Sequence, residues 1–201
     1  NSGTFRENIN PAFELAYWSW GLKKANDWRE RMGRERNADW DRMADQMAPW
    51  PVVNGVYVEA ESVLEKDGGH PTQLAAYGFL PASAYLDKEV MRKTLRHVLD
   101  NWDWADTWGW DFPLIAMTAI RLNEPEWALE TLLKSVQKNT YLPNGHNFQN
   151  EGLPLYLPGN GGLLTVVAMM CAGWDGCTEG NPGFPKNGLW NVKWEGLKPA
   201  F

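Results

Sequence analysis

Apolar residues recur at helical spacing along most of this chain, and glycine or proline interrupts the pattern between the predicted helices. The spacing predicts helices over 11–32 and 38–47, from Thr72 onward, and over 87–100, 113–122, 123–136 and 163–171. Residues 113–122 are apolar on every side, so we expect that helix to be buried. Helices alternate with long loops and show no βαβ rhythm, which predicts an all-α fold of paired helices around an axis, with functional loops collected at one end.

Three shorter signals refine this outline. The pair Asn54-Gly55 between alternating residues predicts a short strand or an extended loop. Asn123 is expected to be the N-cap of the helix that carries Pro125 in its first turn. Residues 188–201 alternate in a strand-like manner, which predicts the start of a small β-appendage.

Composition narrows the classes of partner. The chain has 201 residues, a net charge of -6 and 44% hydrophobic residues. An acidic surface disfavours nucleic acid and anionic membranes, which both need clustered lysine and arginine, and we expect neither partner. The chain begins at Asn1, without an initiating methionine, so we expect residues upstream. Cys171 and Cys177 are the only cysteines, and either a loop disulfide or two separate thiols fits their spacing.

Tryptophan is unusually frequent, with 13 residues against 7 phenylalanines and 6 tyrosines. An indole is good core material, but it is also a flat apolar platform with one N–H donor. Sugars present apolar C–H faces ringed by hydroxyl groups, so some of these side chains are expected to line a carbohydrate cleft.

The glycine-rich stretch LPGNGG at 157–162 precedes an apolar run. A phosphate-binding loop would need a lysine and a serine or threonine after the glycines, and a dinucleotide fingerprint would need a preceding strand. Neither is present in the sequence, so we interpret the stretch as a tight turn. Asn160 in it is expected to be a helix cap or a ligand contact.

A second polar stretch, NGHNFQ at 144–149, concentrates hydrogen-bonding side chains. His146, Asn147 and Gln149 in it suit a polyhydroxyl ligand, although such a loop can also be held together by its own side chains. The histidines of the chain never pair at the spacing of metal ligands, so we expect no metal and no cofactor.

Glycosyl transfer to water needs a carboxylic acid and a carboxylate. The candidate carboxylates beside aromatic residues are Glu14, Glu59, Glu61, Asp103, Asp106 and Asp111. For each of them a cap or a salt bridge is an alternative role, and Asp111 in particular could cap the helix that Pro113 enters. Glu14 lies in an aromatic helix face, where burial would raise its pKa.

Five segments carry a resemblance to a known family: AYWSWGLKKANDW, GVYVEAE, HPTQLAAYGFLP, TWGWDFPLIAMTAIRL and LPGNGGLLTVVAMM. Their order resembles the C-terminal half of the six-hairpin glycosidases, closest to glycoside hydrolase family 95 and its family 65-like relatives. The resemblance implies an (α/α)6-barrel-type fold of helical hairpins, here a partial toroid, with substrate bound by the loops at one end. It implies a catalytic half-barrel over 1–175, and a loop and the start of a β-like appendage over 176–201.

Residue by residue, Glu59 matches the acidic position of the family's GQLQEW segment, and His70 matches a position in its histidine-rich segment. Asp111 replaces a serine at the entry to an inner helix. The glycine turn matches the family's DGNFG, but Pro158 stands where the fucosidases have their general base. The family's general acid would lie upstream of Asn1.

The resulting hypothesis is an inverting glycoside hydrolase with Glu59 and Asp111 as catalytic residues. The substrate-binding residues would be Glu14, Trp18, His70, Trp108, Trp110, His146, Asn147, Gln149 and Asn160. An oligosaccharide or glycoside and the N-terminal half of the same barrel are the expected partners, and the resemblance suggests a periplasmic or extracellular location. The alternative hypotheses are a non-catalytic carbohydrate-binding or scaffold protein on a degenerate barrel, and an all-helical interaction module.

Overall fold

A computed structural model of the protein describes residues 8–63 and 68–200. Its helices are α1 (Ala12–Arg31), α2 (Ala38–Asp45), α3 (Thr72–Gly78), α4 (Lys88–Asn101), α5 (Asp111–Arg121), α6 (Pro125–Leu132) and α7 (Leu157–Ala172). Two short antiparallel hairpins pair β1 (Val52–Val53) with β2 (Val56–Tyr57) and β3 (Thr140–Tyr141) with β4 (Asn147–Phe148). The prediction of an all-α protein is therefore confirmed.

The helices pack in an order that follows the chain. α1 contacts α3, α3 contacts α5, and α5 contacts α7, so the odd-numbered helices form one row. The even-numbered helices pack behind them, α2 on α1, α4 on α3 and α5, and α6 on α5. Successive helices thus alternate between two layers, as consecutive helical hairpins do.

α5 is the centre of the core. All eleven of its residues are buried, as its continuous apolar sequence predicts. Two of its three polar side chains bond backbone carbonyls in or just after α3: the hydroxyl of Thr118 donates to the carbonyl of Leu74 at 3.2 Å, and Nη1 of Arg121 donates to the carbonyls of Tyr77 and Leu80. Burial lowers the pKa of Arg121 to about 10, so the guanidinium remains charged at neutral pH. α5 therefore fixes the position of α3 with polar as well as apolar contacts.

Two helices begin with a side-chain cap. The side chain of Asn37 accepts the N–H groups of Asp39 and Trp40 at the start of α2, and Asp87 begins α4 in the same manner. Asn54 and Gly55 both have positive φ, at 51° and 81°, and join β1 to β2 in the predicted hairpin.

The prediction that Asn123 caps α6 is wrong. Asn123 has a φ of 62°, and its N–H donates to the carbonyl of Ile120, so it ends α5 in the left-handed conformation that asparagine tolerates. Glu124 takes the N-cap position of α6 instead, without a side-chain cap.

The predicted start of the last helix is also wrong, because α7 begins at Leu157 rather than Leu163. The glycine-rich stretch is therefore the first part of a helix and not a tight turn before one. A Cβ atom at Gly162 would lie 2.6 Å from Cγ of Pro113, so a glycine there lets α7 approach α5 closely. Proline in the first turn is compatible with a helix.

The predicted β-appendage is not formed within the described residues. Between residues 176 and 200, only Ala200 makes a β-bridge, and its partner is Trp174 directly after α7. Cys171 and Cys177 are both free thiols, which decides between the two alternatives left open by their spacing.

Candidate functional site

The segments that precede α3, α5 and α7 meet at one end of the row of odd-numbered helices. His70 comes just before α3, Trp108 and Trp110 come just before α5, and Tyr156 is the N-cap of α7. The rings of His70 and Trp110 lie 4.9 Å apart, and those of Trp108 and Tyr156 lie 5.4 Å apart. We call these four residues together with Asp111 the His70 cluster.

Asp111 is the first residue of α5 and is fully buried. Its carboxylate oxygens lie 3.0 and 3.1 Å from Nδ1 of His70, and Oδ2 also accepts the backbone N–H of Trp108 at 2.7 Å. Burial raises the pKa of Asp111, while the hydrogen bonds from His70 and Trp108 act in the opposite direction. The cap role that we considered for Asp111 is not the observed one, since Trp110 is the N-cap.

This geometry fixes the orientation of His70. A carboxylate only accepts hydrogen bonds, so with Asp111 ionised Nδ1 of His70 carries a proton and donates the hydrogen bond to Asp111. Nε2 is then the nitrogen that remains for a ligand, as an acceptor in neutral imidazole. The side chain of His70 is 27% exposed, whereas that of Asp111 is inaccessible. Asp111 thus acts through His70, and His70 is the group that a ligand can reach.

Aromatic rings surround this pair. Trp110 packs between His70 and Phe79, with its ring centroid 6.0 Å from that of Phe79. Nζ of Lys138 lies 5.6 Å from the ring centroid of Trp108. Trp108 and Trp110 are both partly exposed, so part of each indole ring reaches the surface. The result is an apolar wall beside a polar histidine, an arrangement suited to ligands that combine apolar and hydrogen-bonding faces.

Asn147 and Gln149 lie behind this wall, where both are fully buried. Oε1 of Gln149 accepts the N–H of Gly109 at 2.9 Å, and Nδ2 of Asn147 donates to the carbonyls of Lys138 and Thr140. A Cβ atom at Gly109 would lie only 1.8 Å from Oδ1 of Asn147. Gln149 therefore holds the turn between Trp108 and Trp110 by a hydrogen bond, and Asn147 packs against it, as in the alternative of a loop held together by its own side chains.

His146 and Asn160 belong to the same supporting loop. Asn160 accepts the N–H of Asn147 at 3.0 Å and donates to the carbonyl of Gly145 at 2.7 Å. Nδ1 of His146 lies 3.3 Å from Nδ2 of Asn144. Asn160 thus ties the first turn of α7 to this loop rather than capping the helix.

The remaining predicted residues lie on α1 or, in the case of Glu59, beside its start. Trp18 is 57% exposed, and Glu14 is exposed as well, so Glu14 does not have the buried setting that we considered. Glu59 follows β2, and its backbone carbonyl accepts the N–H of Ala12 at the start of α1. The two carboxylates predicted to be catalytic therefore lie in different segments, Glu59 after β2 and Asp111 at the start of α5.

Two aromatic members of the site were not predicted. Tyr156 stands directly before α7 as Trp108 and Trp110 stand before α5, and this parallel position was the available signal. Phe79 ends α3 and reaches Trp110 only because α3 packs on α5. Burial raises the pKa of Tyr156, so its phenol is a hydrogen-bond donor at neutral pH.

Within residues 8–63 and 68–200, no group of three or more His, Cys, Asp or Glu side chains is placed to hold a metal ion. None of the helices in those ranges has the length and apolar character needed to span a bilayer. No family model and no curated protein matches the sequence.

Proposed function

We propose that this protein is a glycoside hydrolase built from helical hairpins, and that the His70 cluster is its sugar-binding site. The observation that carries the proposal is the pairing of His70 with the buried Asp111 between partly exposed indole rings. The alternation of helices between two layers is the arrangement expected of consecutive hairpins in an (α/α)6 barrel, and it supports a partial toroid.

In this proposal the C–H face of a sugar stacks on Trp108 or Trp110. Nε2 of His70 accepts a hydrogen bond from a sugar hydroxyl, and the phenol of Tyr156 donates one. Asp111 does not contact the sugar, because its carboxylate is buried and bonded through both oxygens. It is a positioning residue, which keeps the proton of His70 on Nδ1 and leaves Nε2 as the acceptor.

The burial of Asp111 changes the catalytic assignment. Hydrolysis with inversion needs a carboxylate that activates water, separated by about 6–10 Å from a carboxylic acid. A carboxylate without access to water cannot activate it, so Glu59, and not Asp111, is the residue to which we assign water activation.

A second candidate function is carbohydrate binding without catalysis. Two observations favour it: the inaccessible carboxylate of Asp111, and Pro158 in the first turn of α7 where the resembled family has its base. A degenerate barrel would keep the aromatic wall and the oriented histidine while losing turnover.

Sugar binding is tested by titrating a panel of glycosides and oligosaccharides against the protein and following tryptophan fluorescence. The Trp110→Ala variant is compared with Trp28→Ala, which removes a 57% exposed tryptophan near the C-terminal end of α1, outside the His70 cluster. We expect at least one sugar to bind, Trp110→Ala to weaken it about ten-fold or more, and Trp28→Ala to leave it unchanged. The absence of binding across the panel would overturn the proposal.

Turnover distinguishes the two candidates. NMR spectra of the released sugar would report hydrolysis and the anomer formed first. We expect Glu59→Gln to abolish hydrolysis while sugar affinity stays close to that of the wild type. Wild-type protein that binds sugar without hydrolysing any member of the panel would favour the binding protein instead.

A further inference from the structure

Trp110 takes part in two neighbouring features. Its ring centroid lies 4.9 Å from that of His70, and Trp110 also contributes to an open cavity of about 380 Å³ beside α3, α5 and α7. The principal side chains that line this cavity are Phe79, Trp110, Met117, Pro158, Thr165 and Met169. The cavity therefore shares Trp110 with the candidate sugar site.

The lining of this cavity is almost entirely apolar. None of the described residues that line it is charged, and the only side-chain hydroxyl is that of Thr165. This hydroxyl donates to the carbonyl of Gly161 at 2.8 Å, so its hydrogen atom is engaged in a hydrogen bond within α7. A ligand with polar groups would have few partners here, whereas thioether and aromatic surfaces suit a flat apolar ring.

The size of the cavity is appropriate for such a ring. A dry apolar cavity of about 150 Å³ is enough to hold benzene, so about 380 Å³ accommodates a substituted ring or a fused pair. The cavity is open to solvent, since Pro158 and Thr165 in its lining are exposed, and its apolar surface beside α3, α5 and α7 suits such a ring.

Ala200 links the lining of this cavity to the end of α7. Ala200, which contributes to the lining, donates its N–H to the carbonyl of Gly173 at 3.1 Å and accepts the N–H of Asp175 at 2.9 Å. These two bonds hold the tail against the end of α7.

We propose that this cavity is the subsite for an apolar, aromatic aglycone, so that the substrate class is aryl glycosides. The inference rests on the proposed function, because the sugar of the same molecule would lie on the His70 side of Trp110. Trp110 would then contact both parts of the substrate, the sugar with one face and the aryl group with the other.

The direct test uses 4-nitrophenol as the apolar probe and methionine methyl NMR as the readout. Met117 and Met169 line the cavity, while Met32 and Met43 are 60% and 51% exposed on α1 and α2. We expect the probe to shift the methyl signals of Met117 and Met169 and to leave those of Met32 and Met43 in place. Shifts confined to the exposed methionines, or none, would overturn the proposal.

The second test compares a 4-nitrophenyl glycoside with the methyl glycoside of the same sugar. We expect the aryl compound to bind the wild type at least ten-fold more tightly. Thr165→Trp places an indole at the cavity and should bring this ratio close to one, with the affinity for the methyl glycoside unchanged. Leu164→Trp is the matched control, because Leu164 is 73% exposed on the adjacent position of α7, and it should keep the wild-type ratio.

The outcomes separate this inference from the function on which it rests. Equal affinity of the wild type for the two glycosides would overturn the aglycone subsite while the sugar site stands. Binding of 4-nitrophenol with no affinity for any glycoside would overturn both, since the cavity would then hold an apolar ligand that is not an aglycone.

Discussion

The three glycines in the first half of α7 face different neighbours, so replacing each by alanine has a different expected result. A Cβ atom at Gly159 would lie 2.3 Å from Oδ1 of Asn147, and one at Gly162 would lie 2.6 Å from Cγ of Pro113. At Gly161 it would meet no atom within 4 Å. The same chemical change therefore tests whether close packing explains the glycines.

Two opposing terms set the magnitudes. Alanine is preferred over glycine in a helix interior by about 1 kcal/mol, so Gly161→Ala should stabilise the protein by roughly that amount. Overpacking a core costs about 1–3 kcal/mol. Pro113 is a rigid, buried ring that cannot turn aside, so Gly162→Ala should lose up to about 2 kcal/mol net of the helix preference.

Gly159→Ala should be the most damaging of the three. Asn147, which it would displace, is fully buried and donates through Nδ2 to the carbonyls of Lys138 and Thr140. Moving this amide would weaken two buried hydrogen bonds in addition to the steric cost, for a loss of about 2–4 kcal/mol.

Urea unfolding at equilibrium measures all three values, and thermal unfolding checks their order, with about 2–4 °C expected for each kcal/mol in a chain of this size. Gly21→Ala in α1 is a further control, because a Cβ atom there also meets nothing within 4 Å. Equal stability of the Gly161→Ala and Gly162→Ala variants would refute the explanation of the glycines by close approach.

The remaining predictions concern single polar side chains. Burial raises the pKa of Asp111 in the folded state above its value in the unfolded state. The protein is therefore most stable with respect to this group below about pH 4, and its free energy of unfolding falls as the pH rises through the folded-state pKa. Asp111→Asn should therefore gain stability relative to the wild type between pH 3.5 and 7, by about 1.4 kcal/mol for each unit of pKa difference, and a relative loss in urea midpoints would contradict this. Arg121→Met leaves the buried carbonyls that end α3 without their donor and should cost about 2–4 kcal/mol in urea unfolding. Asn37→Ala removes the cap of α2 and should cost about 1 kcal/mol in the same assay, whereas Asn37→Asp should cost far less.

Periodicity predicted the helices well where the apolar pattern was long and the caps were local. α1 and α4 end within a residue or two of the predicted positions, and the continuous apolar run of α5 predicted its complete burial. These features depend on residues close in sequence, which is why the sequence alone contains them.

The wrong predictions for Asn123 and for the start of α7 have a common physical origin. Asparagine is favoured both as an N-cap and in the left-handed position after a helix, so Asn123 is compatible with either role. The glycines of α7 are locally typical of a turn, yet the contact with Pro113 needs glycine inside a helix. Both residue types suit two roles, and for the glycines the deciding contact comes from another helix.

In the candidate site too, some features could be predicted from the sequence and others could not. His70, Trp108, Trp110 and Asp111 were all singled out from the sequence, and the structure brings them together. For Asn147 and Gln149, which were singled out as well, sequence could not decide between ligand and backbone partners. An amide side chain suits both, and only its burial and its neighbours distinguish them.

Asp111 also bears on why this end of the protein is a site at all. A carboxylate at the start of a helix is favoured by the helix dipole, but complete burial opposes its charge and raises its pKa. A cap alone would be served by an exposed serine or asparagine without that cost. What the buried carboxylate adds is a fixed proton on Nδ1 of His70, and a histidine oriented in this way presents Nε2 as an acceptor toward the partly exposed rings around it. In the proposed function, sugar binding at His70 offsets the energetic cost of burying Asp111.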